Sequence, residues 1–109
     1  MALTDLERRG RELLAAAREH GSGRAADTVV GGADQALRQT LLALVAGARL
    51  AEHENPGEAT LQVLEGSVRL VAGATAEDGE RGDLLAVPEE RHALEAVTDA
   101  VVLLTVVKR

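Results

Sequence analysis

The chain contains no cysteine. That absence excludes disulfides, zinc–thiolate sites and cysteine nucleophiles. Phenylalanine, tyrosine and tryptophan are absent as well. A core must then be built from leucine, valine and alanine, and there is no aromatic platform on which a base or a sugar could stack. Positive charge is scarce: 12 Lys and Arg stand against 18 Asp and Glu, giving a net charge of -6. Affinity for a phosphate backbone comes mainly from Lys and Arg, so no nucleic-acid partner is expected. No apolar run reaches the length needed to cross a bilayer. The N-terminal segment has no apolar stretch of signal-peptide kind, and a cytoplasmic protein is expected.

What is present is an ordinary globular composition, 109 residues with 46% apolar and 28% charged side chains. A chain of this length forms one domain and buries roughly 65% of its unfolded surface. Residues 4–20 read as a helix. Thr4 is the predicted N-cap, with Glu7 at capping-box spacing. Leu6, Leu13, Leu14 and Ala17 fall on one face, and Gly21 suits the stop. Arg8, Arg9 and Arg11 are flanked by Glu7 and Glu12, which points to a solvated face rather than an anion or membrane site.

From Arg24 onward short apolar stretches alternate with Gly, Asp and Pro, as in an all-β domain. Strands are predicted over 25–30, 35–46, 48–53, 59–65, 67–72, 83–87, 92–97 and 100–107. Gly31-Gly32, Ala46-Gly47, Glu65-Gly66 and Asp78-Gly79 are predicted turns or kinks, the last within an acidic hairpin spanning 76–81. Pro56-Gly57 suits a type II turn. The expected division is a helix and linker over 1–23 and a β-barrel over 24–109.

The segment 35–46 is apolar on both faces, with Leu37, Leu41, Ala43 and Val45 on one and Leu42 and Leu44 on the other. The segment 101–107 is also two-sided. Such strands must cover a second layer, either the N-terminal helix or another subunit. A homodimer is expected on this ground.

Two spaced frames carry the chemistry. In the first, Gly47 and Gly66 bracket His53, with Asn55 two residues beyond it and Ala59 seven before Gly66. In the second, Gly82 is followed by Pro88 and then His92. Together they resemble the two motifs of the cupin family, and the likeness covers residues 35–108. It implies a double-stranded β-helix, or jelly-roll barrel, here carrying one N-terminal α-helix. The first cupin motif has His-x-His followed by a glutamate; Asn55 and Ala59 stand at the second and third ligand positions. In the second, Glu90 stands where a glycine is expected and no asparagine follows His92.

The resemblance implies a facial site of histidines and a carboxylate for a divalent transition metal such as iron, manganese or nickel. Strand alternation tests it. If His53 points inward, so does Asn55. Ala59, Leu61 and Val63 then line the next strand, with Thr60, Gln62 and Leu64 outside. From His92, Leu94 and Ala96 follow inward, and Leu84 joins the interior filling. The metal set would be His53 and His92 with Asn55 or Glu58 as third ligand. Asn55 offers only a neutral oxygen, and alternation turns Glu58 outward. A small-ligand pocket is the favoured reading, with His53, Asn55, His92 and Arg91 orienting a polar group in an apolar sleeve. The competing readings are a metal-dependent isomerase or dioxygenase, and a non-catalytic interaction or regulatory protein. Ser22 in Gly-Ser-Gly has no neighbouring acid or base, and Glu89-Glu90 reads as a solvated turn.

Overall fold

The computed structural model describes residues 2–53 and 57–108, the side chains of Glu52 and His53 excepted. Helix α1 (Leu6–Glu19) precedes nine strands. They are β1 (Arg24–Val30), β2 (Leu37–Leu44), β3 (Arg49–His53), β4 (Gly57–Glu65), β5 (Ser67–Ala72), β6 (Thr75–Glu80), β7 (Leu84–Val87), β8 (His92–Ala96) and β9 (Ala100–Lys108). All the strand pairs are antiparallel. One sheet runs β1-β2-β9-β4-β7 and the other β3-β8-β5-β6. The fold is all-β, a jelly-roll barrel with one N-terminal helix.

The two sheets face each other across an aliphatic interior. Leu42, Leu44, Leu61, Val63 and Val102 from the first meet Val68, Leu70, Leu94 and Ala96 from the second. Period-two alternation sorts these residues cleanly. On β4, Ala59, Leu61 and Val63 are buried and Glu58 and Gln62 are exposed. On β7 the inward residues are Leu85 and Val87, so Leu84, expected inside, is instead 66% exposed.

Helix α1 lies on the outer face of the larger sheet. Leu13 and Ala17 pack on Leu41, Ala43, Val101 and Leu103. The second layer over the two-sided β2 and β9 is therefore this helix. Gly10 allows the close approach: a Cβ there would lie 3.0 Å from Val101 Cγ1. The N-cap is Asp5 rather than Thr4, its side chain accepting from the Arg8 N–H at 3.1 Å. At the other end Arg18 suits the negative pole of the helix dipole. It also donates to Asp99 Oδ2 at 3.0 Å, while Asp99 Oδ1 accepts from the Ala46 N–H at 2.8 Å. These two bonds hold the Asp99 carboxyl below its usual range, the Ala46 bond contributing most.

One turn assignment is corrected. Asp78-Gly79 is mid-strand in β6, where Asp78 pairs with Arg69 and Gly79 with Val68. The β5–β6 hairpin turns instead at Gly73, with φ of 57°. Gly79 is small for a packing reason, since a Cβ there would meet Leu85 Cδ1 at 3.0 Å. The Pro56-Gly57 turn falls at the edge of the described residues: Gly57 opens β4, and Pro56 lies outside them. Among the described residues no helix is long and apolar enough to cross a membrane.

Candidate functional site

The candidate residues gather at one end of the barrel. Register fixes which end. Leu37 pairs with Val107, Gly57 with Lys108 and Ala59 with Val87, so β2 and β4 begin where β7 and β9 finish. The segment 88–91 then leads directly from β7 into β8, whose first residue is His92. β3 also ends here, at His53.

His92 is only 4% exposed and is the one buried polar side chain among the described residues. It shares the inward face of β8 with Leu94 and Ala96. Its Nδ1 lies 3.0 Å from the backbone carbonyl of Glu90. A carbonyl can only accept, so Nδ1 carries a proton, and in the neutral ring the lone pair sits on Nε2. The segment that delivers the strand thus also fixes the tautomer of its first side chain.

His53 is the Cα partner of His92. This pairing depends on an irregularity. Leu50 pairs with Leu94, and regular alternation would set position 52 across from His92; the ladder shifts between Leu50 and His53 and brings position 53 there instead. Asn55 lies outside the described residues. Arg91 is exposed beside His92, at the rim. Glu58 is exposed on the outer face of β4, across from Val107, while Ala59 faces the interior. The strand geometry therefore sets Glu58 apart from the interior where a third ligand would be needed.

Burial falls off toward this end. Leu44 and Val102 are fully buried deep in the barrel, whereas Thr40, Leu104 and Val106 on the same faces are half-buried. Solvent thus reaches the inner wall of β2 and β9 at this end, while Ala59, Val87 and His92 stay buried. Sequence reading missed two residues of this wall. Arg38 and Thr40 share the inward side of β2 with Leu42 and Leu44. The apolar pair at 42 and 44 was the available signal, because alternation extends it back to 40 and 38.

The described surface has a hollow elsewhere. A groove of about 460 Å³ runs between α1 and the outer side of β4, lined by Leu6, Gly10, Leu14, Leu64 and Val101 among others. It contains none of the candidate residues.

No family model matches the sequence, and no curated protein is matched. Solved structures are matched throughout. A conserved protein of unknown function from Streptococcus pyogenes is 25% identical, with a TM-score of 0.76 over 99% of this chain and 88% of that one. An RmlC-like cupin protein from Desulfovibrio desulfuricans is 28% identical, with a TM-score of 0.68 over 77% of this chain and 81% of that one. The chain belongs to the cupin superfamily. Salicylate 1,2-dioxygenase from Pseudoaminobacter salicylatoxidans is matched as well, 26% identical with a TM-score of 0.75. It aligns with 92% of this chain, which spans 33% of the dioxygenase.

The donor set of this cupin can be judged against the metal expected from the resemblance. A facial site needs three protein ligands or more, commonly with a carboxylate. Among the described residues no three His, Cys, Asp or Glu side chains cluster in a way that could hold an ion. Ala59 occupies the motif's carboxylate position. The described side chains therefore do not fit a catalytic metal of that kind.

Proposed function

We propose that this cupin binds a small organic molecule at the open end of its barrel and acts as a homodimer. The observation that carries the reading is His92, a buried imidazole in a leucine, valine and alanine wall. Its Nδ1–H is committed to the Glu90 carbonyl, which aims the basic Nε2 as an acceptor for a ligand hydroxyl, amide or acid. Position 53 across the strand pair adds a second imidazole, and Arg91 at the rim adds a cation. Asn55 completes the proposed ligand set as read from the sequence. Ligands that bind only the folded protein raise its melting temperature. A thermal-shift screen with small organic acids, alcohols and sugars tests the proposal. Stabilisation of the native protein that is lost in His92→Leu supports it; stabilisation retained in that variant counts against it.

The homodimer is proposed on a different surface. β1 is an edge strand whose outer side has no paired strand among those described. Val30, Leu37 and Val107 are exposed at its end of the sheet, at 38%, 43% and 40%. Pairing of two such edges would cover both.

A metal-dependent isomerase or dioxygenase is the second reading. The His53–His92 backbone pairing and the Nδ1–carbonyl bond favour it, because metal-bound histidines are commonly oriented in this way. The exposed Glu58 and the alanine at 59 weigh against it.

A further inference from the structure

We infer that Arg38 and Lys108 form the anion-binding part of this opening, and that the ligand is a small carboxylate with an apolar body. The inference deepens the pocket reading above and rests on it. Arg38 is on the inward side of β2, in step with Leu42 and Leu44. Its cross-strand partner is Val106, which packs on the interior cluster. Lys108 is two residues further along β9, in step with Val102, Leu104 and Val106. The two cations are therefore diagonal neighbours on one face of the same strand pair, at the end of the barrel where His92 begins β8.

Neither cation has a partner among the described residues. Elsewhere the acidic chain engages its arginines: Arg9 with Asp27, Arg18 with Asp99, and Arg69 with Asp78. Arg38 makes no such contact although acids outnumber bases. Arg8 and Arg81 are unpaired too, but they lie on α1 and in the β6–β7 turn, away from the opening. Glu90 of the 88–91 segment is turned toward the opposite sheet, where its Oε1 would lie 3.5 Å from a Cβ at Gly73. Two like charges side by side on one face repel each other, and an anion between them removes that cost.

The surroundings set the ligand's chemistry. A guanidinium presents a planar fork that matches a carboxylate. On the adjacent strand lie Leu104 and Val106, which suit an aliphatic or aryl body. Thr40 can meet a hydroxyl or carbonyl on that body, and Nε2 of His92 a hydroxyl.

The test is calorimetric titration with paired probes: benzoate against benzamide, and octanoate against octanamide. The native protein should bind each acid about ten-fold or more tightly than its amide. Arg38→Met should abolish that preference while leaving amide affinity unchanged, Lys108→Met should reduce it, and Arg38→Lys should restore part of it. Arg81→Met, at the far end of the barrel, should keep the full preference. Without ligand, Arg38→Met should melt slightly higher than the native protein, because the repulsion is gone. Equal binding of acid and amide by the native protein, or a preference that survives in Arg38→Met, overturns the assignment and leaves the pocket standing. Binding of neither acids nor amides overturns the pocket reading and this inference with it.

Discussion

His53 and His92 are backbone partners because β3 carries an irregularity between Leu50 and His53. Two histidines 39 residues apart in sequence thereby reach one strand pair at this end of the barrel. Among the described residues no set of donors completes a metal cage with them. Ala59 is inward and Glu58 outward on β4 of the other sheet. Protein purified without an affinity tag should accordingly contain well under one transition-metal ion per chain by elemental analysis, and a chelator should leave its melting temperature unchanged. A stoichiometric metal that disappears in His53→Ala would establish the metal reading instead.

The seat of α1 depends on Gly10. A larger side chain would press on Val101, which is buried beneath the helix. Gly10→Leu should destabilise the fold by about 1–3 kcal/mol, the usual cost of overpacking. Denaturant unfolding monitored by circular dichroism checks the magnitude. The barrel interior is a separate cluster, so ligand binding at the His92 end should persist in this variant.

Asp99 ties the end of α1 to the β2–β3 turn through Arg18 and the Ala46 N–H. Its carboxyl is held below the ordinary value of 3.8. A lowered folded-state value means that the stabilisation is complete above that ordinary value and is lost as pH falls through the folded one. Asp99→Asn keeps an acceptor for Ala46 but loses the charge facing Arg18. Both side chains of that pair are partly exposed, so solvent screening keeps the cost to about 0.5–1 kcal/mol at neutral pH. The stability gap between native and Asp99→Asn protein should be constant from neutral pH down to about pH 5 and close below 3.8.

Leu42 and Leu44 belong to the barrel core, and Leu37 and Val107 to the exposed sheet end. Leu42→Asp places a charge in the aliphatic interior and should abolish folding. Val107→Asp should leave the barrel folded and, where the chain is dimeric, yield monomers by light scattering after size-exclusion chromatography. An unchanged mass for Val107→Asp would remove this surface from the dimer proposal.

Much of the fold was legible in the sequence because its pattern is local. Ala59, Leu61 and Val63 alternate with polar neighbours, and Gly47 and Gly66 stand at turns with positive φ. At Gly66 a side chain would overlap the Asp99 carbonyl, so the glycine is required as well as permitted. The misreadings share a cause: they turn on contacts distant in sequence. Asp78-Gly79 has turn chemistry, yet Gly79 serves the packing of Leu85 and Asp78 the pairing with Arg69. The two faces of β2 did not reveal which layer covers the outer one. An irregularity in β3 leaves no mark on a period-two pattern, and Arg38 gains meaning only beside Val106 and Lys108 across the sheet.

The central claim is that His92 offers Nε2 to a ligand while Nδ1 stays bonded to the Glu90 carbonyl. Long-range nitrogen–proton NMR correlation on ¹⁵N-labelled protein reads both ring nitrogens of His92 directly. The account predicts an Nδ1–H tautomer in the free protein, and movement of the Nε2 resonance, with Nδ1 nearly unchanged, on addition of any compound that raises the melting temperature. A proton on Nε2 in the free protein, or an Nε2 resonance indifferent to every stabilising compound, would contradict it.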